Sequence, residues 1–309
     1  MTVLKENVIK ETSAFLEDAE TKNIMSRSLN YLSAGYPVHF TGPSGTGKTS
    51  LALALAKKRK RPVMLMHGNH ELSNGDLIGA FTGYESRKVV DHYIHSVYKK
   101  DESVKETWRD GRLYEAVKNG YTLIYDEFNR SRPSTNNLFL SILEEGILPL
   151  YGTKFTEPFV KVHPEFNVIF TSNPVEFAGV YETQDALVDR MITIPLGYKQ
   201  SEFEAAIVSK KTGVSEEEAH AITLLVSRIR EACNSGNDQN LGPSLRSSMM
   251  IARLAYEGDI SVDGNDEEFQ RLCTDILWFP VNRSVDPNKR GEKAEAIVLK
   301  ECKKVSISE

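Results

Sequence analysis

A glycine-rich octapeptide, GPSGTGKT, fits the pattern GxxxxGK[ST] at every defined position. It consists of Gly42, Pro43, Ser44, Gly45, Thr46, Gly47, Lys48 and Thr49. An apolar segment, Val38–Thr41, precedes it, and a helical pattern, Thr49–Lys58, follows it. Between a strand and a helix start, backbone N–H groups and the helix N-terminus face a bound anion. The motif therefore predicts an α/β fold with a nucleotide-binding phosphate loop.

Four residues of this loop have separate predicted roles. Gly45 and Gly47 let the backbone turn so that its N–H groups face the phosphates of ATP. Lys48 is predicted to reach the β- and γ-phosphates, and Thr49 to offer its hydroxyl to Mg²⁺. The alternative is a chance glycine-rich loop, which the flanking strand and helix patterns disfavour.

Short apolar runs alternate with helical patterns through the first two thirds of the chain. The runs predicted as strands are Pro37–Thr41, Pro62–His67, Tyr121–Asp126, Val168–Thr171 and Met191–Pro195. Near-continuous apolar runs are typical of parallel strands that helices cover on both faces. The pattern predicts an αβα sandwich around a five-stranded parallel sheet.

After Pro195 only helical patterns remain. Helices are predicted at Ser201–Thr212, Ser215–Ala232, Ser244–Tyr256, Asp266–Trp278 and Gly291–Lys303. We therefore expect an N-terminal helical segment (1–35), an ATPase core (36–197) and a smaller all-helical lid domain (198–309).

An acidic pair, Asp126 and Glu127, ends one of the predicted strands. In phosphate-loop enzymes an aspartate in this position holds Mg²⁺, and an adjacent glutamate can act as general base toward the attacking water. We assign Asp126 to the metal and Glu127 to the water. The alternative is a solvated strand end. The chain has no NKxD motif for guanine, so the pair favours an ATPase.

Asn173 and Arg190, which follow later in the chain than the acidic pair, are further catalytic candidates. If the strand before Asn173 lies beside that of Asp126, Asn173 can bind the attacking water or the γ-phosphate. The alternative is a turn-forming Asn-Pro. Arg190 is predicted to reach the ATP of a neighbouring subunit. The alternative is a surface ion pair with Asp189 or Asp185.

Arg246 begins a helix of the predicted lid, after Gly242 and Pro243. It is predicted to fold onto the γ-phosphate of bound nucleotide. The alternative is an ordinary arginine on the helix surface.

The charge and residue composition of the chain restrict the kinds of partner that it is expected to bind. The 309 residues carry a net charge of −5, which argues against a dedicated nucleic-acid binder. No apolar run approaches the roughly 20 residues that cross a bilayer, and no apolar leader opens the sequence. Cys233, Cys273 and Cys302 form neither a metal-binding pattern nor a disulfide framework. We expect a cytoplasmic protein with neither a membrane nor a nucleic acid as partner.

The chain resembles the AAA+ ATPases, and within them the MoxR-like group, in the order of its motifs. These are the phosphate loop, the acidic pair, TSNP (Thr171–Pro174), DR (Asp189 and Arg190) and Arg246. A narrower resemblance, to the gas vesicle protein N family, lies in Arg59–Leu72, Tyr121–Gly152 and Phe177–Asp189. It implies an AAA+ core with a helical lid, ATP and Mg²⁺ as cofactors, and an ATPase required for gas vesicle assembly or growth. Gly42–Thr49 correspond to Walker A of that family.

The resemblance also implies partners. They are gas vesicle shell or accessory proteins and further copies of the chain, in a homo-oligomeric ring of six subunits. The location would be the cytoplasm, free or on gas vesicles. Two alternatives stay open: a MoxR-type chaperone for another client with a von Willebrand A-domain partner, and a nucleotide-gated structural component of the vesicle.

Two segments are candidate contact surfaces. Gly83–Trp108 is a long insert, predicted either to meet a partner or to form an ordinary surface hairpin or helix. Leu148–Val162 has the pattern of a hairpin, and its Tyr151 and Phe155 are predicted to face the pore of a ring.

Overall fold

The computed structural model describes residues 15–89, 101–150, 157–174, 179–234, 242–284 and 292–306. The elements of the first two thirds are α1 (Ala19–Ser33), β1 (Val38–Thr41), α2 (Lys48–Lys58), β2 (Val63–His67), α3 (Asn74–Ile78), β3 (Gly79–Val89), β4 (Asp101–Asp110), α4 (Arg112–Asn119), β5 (Thr122–Asp126), a 3₁₀ turn (Phe128–Arg130), α5 (Pro133–Glu144), β6 (Ile147–Pro149), β7 (Phe159–Lys161), β8 (Asn167–Ser172), α6 (Asp185–Val188) and β9 (Ile192–Pro195). The remaining elements are α7 (Ser201–Thr212), α8 (Glu216–Cys233), α9 (Leu245–Gly258), α10 (Glu267–Ser284) and α11 (Glu292–Cys302).

The central sheet has five parallel strands in the order β2-β5-β8-β1-β9. All five predicted strands are confirmed, and so is the predicted fold class. The middle strands β5 and β8 are buried along their whole length, which explains their continuous apolar sequence. Because the strands are parallel, the loops after β1, β5 and β8 meet at one edge of the sheet.

Side chains of the sheet alternate between two apolar layers. On β5, Leu123 and Tyr125 point into the layer that contains Phe139 of α5, and Tyr125 stacks on that ring at 5.2 Å. Ile124, between them, points into the opposite layer with Leu55 of α2. Helices therefore cover both faces, as the αβα prediction requires.

The five helices α7–α11, which we call the helical part, enclose a third apolar core. Their starts agree with the predicted helices to within a residue or two, but one predicted end is wrong. The prediction ended a helix at Trp278, whereas α10 continues through Pro280 to Ser284. A proline inside a helix costs about 3 kcal/mol. Leu277 and Val281, on either side of it, are wholly buried in this core, and their burial offsets that cost.

Two antiparallel strand pairs lie outside the central sheet. Residues 83–89 and 101–108 of the predicted insert, Gly83–Trp108, belong to the pair β3–β4, which is ten residue pairs long and has a bulge between Thr82 and Tyr84, whereas residues 90–100 lie outside the described residues. The predicted hairpin at Leu148–Val162 corresponds to the antiparallel pair β6–β7, which begins one residue earlier, at Ile147. Tyr151 and Phe155, predicted to face a pore, lie outside the described residues.

None of the described helices is both long enough and apolar enough to span a bilayer.

Candidate nucleotide-binding site

The loop between β1 and α2 takes the predicted glycine-dependent path. Gly45 has φ +80° and Gly47, which caps α2, has φ +84°, values that residues with a Cβ rarely adopt. Gly45 has a second constraint, since a Cβ there would lie 2.5 Å from the Cβ of Ser244. The phosphate loop therefore packs directly against the residue that precedes α9.

Lys48, the first residue of α2, is buried inside this loop. Its Nζ donates hydrogen bonds to the carbonyl oxygens of Gly42 at 2.9 Å and Pro43 at 2.7 Å. These two bonds hold the ammonium at the helix N-terminus, where the partial positive charge of the helix adds to its own.

The two predicted metal ligands are in direct contact. The Thr49 hydroxyl donates to Oδ1 of Asp126 at 2.7 Å, and the Thr171 hydroxyl donates to the same oxygen at 2.6 Å. The other oxygen, Oδ2, lies 3.3 Å from Nδ1 of His67 at the end of β2. Asp126 is buried, so this carboxylate is fixed in direction by its neighbours.

Glu127, the predicted base, has a left-handed backbone with φ +51°. Its N–H donates to the hydroxyl of Thr171 at 2.9 Å, and its carboxylate lies 2.6 Å from Nε of Arg130. The sequence reasoning missed Thr171, which bonds both Asp126 and Glu127. Its position at the end of the strand before Asn173 was the available signal.

Asn173 meets the condition set for it, because β8 pairs with β5. It is buried directly after β8, and its carbonyl accepts a hydrogen bond of 3.2 Å from Nδ2 of Asn129. Its side chain lines the same cleft as Asp126 and Glu127.

That cleft has a volume of about 140 Å³ and is enclosed by both the sheet and the helical part. It is lined by Ser44, Gly45, Gly47, Lys48, Thr49, Ser50, Asp126, Glu127, Thr171, Asn173, Lys211, Leu245, Arg246 and Met249. Arg246 therefore lines the same cleft as the phosphate loop, and its contact with a γ-phosphate stays a prediction. Lys211, at the end of α7, is a second cation that sequence reasoning missed, whereas its neighbour Lys210 does not line the cleft.

A second cavity, of about 110 Å³, adjoins the other side of the phosphate loop. Its lining includes Phe15 and Ile24 near the N-terminus, Tyr198 after β9, and Phe203 and Ile207 of α7. Sequence reasoning missed this cavity, since its apolar residues are scattered along the chain. Apolar residues predominate in its lining, although Glu20, Lys199 and Glu204 also contribute, and this composition suits a flat, apolar group.

Arg190 does not line the cleft of its own subunit. Its Nε donates to Oε2 of Glu144 at 3.0 Å, and its Nη1 donates to the carbonyl of Ala186 at 2.5 Å. The surface ion pair considered from the sequence is therefore made with Glu144, on α5, rather than with Asp189 or Asp185.

A buried histidine links the three strands next to the site. Nε2 of His39, on β1, lies 2.8 Å from the Ser172 hydroxyl on β8, and Nδ1 lies 3.0 Å from the Thr193 hydroxyl on β9. Burial lowers the pKa of His39 from 6.5 to about 4, because the surroundings disfavour the charged ring.

We expect His39 to make folding stability depend on pH. Its pKa is lower in the folded than in the unfolded chain, so its contribution is complete above pH 6.5 and is lost as pH falls toward 4. At pH 5 the loss is about 2 kcal/mol. His39→Gln, which cannot charge, should show a shallower decline in urea-unfolding free energy between pH 7 and pH 5. Equal declines in both proteins would contradict this account, because the other titrating groups are common to both.

Comparison with known proteins places these features in a family. Residues 37–191 match the AAA domain family of the dynein-related subfamily. A gas vesicle ATPase GvpN of Ancylobacter aquaticus is 45% identical over 92% of this chain and 77% of its own length. The GvpN of Haloferax mediterranei and the GvpN1 of Halobacterium salinarum are each 37% identical over 96% of this chain and 83% of their own lengths.

These matches confirm the predicted resemblance to gas vesicle protein N and the predicted enzyme class. The AAA match covers four of the five strands of the sheet, β1, β2, β5 and β8, together with the phosphate loop and the acidic pair, and the GvpN matches reach into the helical part. The chain therefore belongs to the gas vesicle ATPase GvpN family and is an AAA ATPase.

Proposed function

We propose that this ATPase binds Mg-ATP in the cleft and uses hydrolysis to move the helical part against the sheet, acting on gas vesicle shell or accessory proteins during assembly or growth. One observation carries the proposal. Lys48 at the start of α2, Asp126 at the end of β5 and Asn173 after β8 line one cleft together with Arg246 of α9. A γ-phosphate in this cleft would contact both the loops at the edge of the sheet and the helical part. Its release would therefore remove a link between the sheet and the helical part.

The residues present suit Mg²⁺. The Thr49 hydroxyl and the Asp126 carboxylate, 2.7 Å apart, offer the oxygen ligands that this ion prefers. When bound, Mg²⁺ would offset negative charge on the β- and γ-phosphates. Thr171 and His67, which contact the same carboxylate, would keep it aimed at that position.

The protein groups then have distinct tasks in hydrolysis. Lys48 exchanges its bonds to two loop carbonyls for bonds to phosphate oxygens, and Arg246 approaches from the opposite side. Glu127, whose side chain is 42% exposed, takes the proton of the attacking water. Asn173 orients that water with its amide. The adenine base occupies the apolar cavity beside Tyr198, because the two cavities share the loop residues Gly45 and Gly47.

Arg190 has its task in a ring, for which we propose six subunits. Its ion pair with Glu144 lies away from the cleft of its own chain, at the carboxyl end of α5. A neighbouring subunit whose cleft faces this surface would receive the guanidinium as a stabiliser of transition-state charge. The predicted location, in the cytoplasm and on gas vesicles, is part of this proposal.

We expect gas vesicle production to depend on turnover rather than on the presence of the chain. Cells whose own copy is deleted would carry either wild type or Asp126→Asn, which keeps the size of the side chain but removes its charge. The variant should lose most of the turbidity that collapses under pressure, with equal amounts of chain on immunoblots. Normal vesicle yield with the variant would contradict the proposal.

The same cells distinguish the proposed function from its two alternatives, a structural component of the vesicle and a chaperone for another client. Fixed stoichiometry of the chain in washed vesicles, with normal yield from Asp126→Asn, would indicate a nucleotide-gated structural component. Co-purification with a von Willebrand A-domain protein, and not with shell proteins, would indicate a chaperone for another client.

A further inference from the structure

Arg230, on α8, is an arginine buried where the helical part joins the sheet. Its side chain is only 7% exposed. Its guanidinium carbon lies 3.9 Å from the ring centre of Tyr198, which follows β9, and its Nη2 lies 3.2 Å from Oε2 of Glu204 on α7. Its Nε donates a hydrogen bond of 3.0 Å to the carbonyl of Pro243, just before α9. One side chain of α8 thus holds two segments that are distant in sequence, the stretch from Tyr198 to Glu204 and the residues before α9.

The segment held by the Pro243 bond is the one that reaches the nucleotide cleft. Ser244, the next residue, packs against Gly45 of the phosphate loop, and Leu245 and Arg246 line the cleft. The N–H of Ser247 donates to the carbonyl of Ser244 at 2.8 Å and closes the first turn. The position of Pro243 therefore sets where α9 begins and where Arg246 starts.

The energetics favour a directional role for this arginine over a purely stabilising one. A buried ion pair contributes little net stability, because desolvation offsets much of the attraction, and an apolar pair of similar volume often serves as well. A guanidinium differs from an apolar group in that its planar fork places several N–H groups in fixed directions and stacks on an aromatic ring. Arg230 uses its fork of N–H groups toward Pro243 and Glu204, and its planar face toward the ring of Tyr198.

We propose that Arg230 is a positioning residue for ATP hydrolysis, which holds the start of α9 on the phosphate loop and so places Arg246 in the cleft. This inference rests on the proposed role of Arg246. Arg230 itself does not line the cleft, so it acts through that residue.

The test uses Arg230→Lys, which keeps the charge beside Glu204 but loses the Nε–H and the planar stacking surface. We expect kcat to fall by about 10- to 100-fold, the effect of a misplaced catalytic group, and by a larger factor than KM rises. Arg228→Lys, the same change two residues away on the same helix, is the matched control and should retain wild-type kcat.

A double-variant comparison distinguishes positioning from general damage. If Arg230 acts through Arg246, adding Arg230→Lys to Arg246→Ala should lower kcat no further. Equal factors in the two backgrounds would overturn the inference, as would wild-type kcat in Arg230→Lys while Arg246→Ala is slow. If Arg246→Ala itself keeps wild-type kcat, the proposed role of Arg246 fails and the inference fails with it.

Amide hydrogen exchange, measured without nucleotide, tests whether Arg230 holds the start of α9 and does not depend on turnover. In Arg230→Lys, the amides of residues 244–248 should exchange hydrogen faster than in wild type, whereas those of α11 should not change. Unchanged exchange at 244–248 would overturn the inference. If Arg230→Lys does not fold, Arg230→Gln combined with Glu204→Gln removes both buried charges, and the same exchange and kinetic criteria apply.

Discussion

Lys48→Ala should abolish detectable ATP turnover and weaken ATP binding. The ammonium is buried inside the phosphate loop, 2.7–2.9 Å from two carbonyl oxygens that phosphate oxygens would replace. Alanine removes the positive charge at the point where the transferred phosphate develops charge, and the loss of one such group lowers kcat by about 10²- to 10³-fold. Phosphate release and binding of a fluorescent ATP analogue measure the two effects. Sizing with and without ATP shows whether nucleotide drives assembly, which we expect of wild type but not of Lys48→Ala on its own.

The matched control is Lys57→Ala, the same substitution at the opposite end of α2. It should keep wild-type turnover, because the end of the helix lies two turns away from the loop. Wild-type turnover in Lys48→Ala would contradict the assignment of this loop as the nucleotide site.

Lys48→Ala also provides a test of the proposed ring. In a mixture with Arg190→Ala, some clefts have an intact loop from one subunit and an intact arginine from its neighbour. Both variants should be inactive alone and the mixture should regain part of the wild-type turnover. An inactive mixture that nevertheless co-assembles would place the effect of Arg190 within its own chain, beside Glu144.

Glu127→Gln should separate binding from hydrolysis. Glutamine has nearly the shape of glutamate, and the N–H bond of residue 127 to Thr171 belongs to the backbone and remains. The amide cannot accept the proton of the attacking water, so turnover should fall by about 10²- to 10⁴-fold. ATP should still bind, and the variant should accumulate in the ATP-bound assembly.

The control is Glu145→Gln, an exposed glutamate at the end of α5. It should keep wild-type turnover. Retained turnover in Glu127→Gln would refute its role as the base, whereas a parallel loss of ATP binding would indicate that Glu127 supports the fold of the site, through its ion pair with Arg130.

Local patterns in the sequence were sufficient to predict most elements. The five strands were recognised because a strand covered on both faces needs an unbroken apolar run, as Thr122–Asp126 and Asn167–Ser172 illustrate. The phosphate loop was recognised because its path requires glycine at Gly45 and Gly47. The end of α10 was not recognised, because Pro280 is a local signal against a helix. Only the burial of Val281 in the apolar core of the helical part overrides that signal.

In the candidate site too, some residues could be predicted from the sequence and others could not. The identities of Lys48, Thr49, Asp126 and Glu127 could be read from motifs, because a phosphate loop and a metal carboxylate need particular residues in consecutive positions. Their partners could not, since contacts such as Thr171 with Asp126 depend on which strands are neighbours in the sheet.

The sequence by itself determined the fold class, the chemistry of the phosphate loop and the acidic pair, since these follow from local residue patterns and from burial along each strand. Only the tertiary structure decided the strand order that joins Asp126 with Thr171, the apolar cavity beside Tyr198 and the anchoring of Pro243 by Arg230. The physical reason is that each of these is a contact between segments far apart in the chain, whose strength comes from packing that no local pattern encodes.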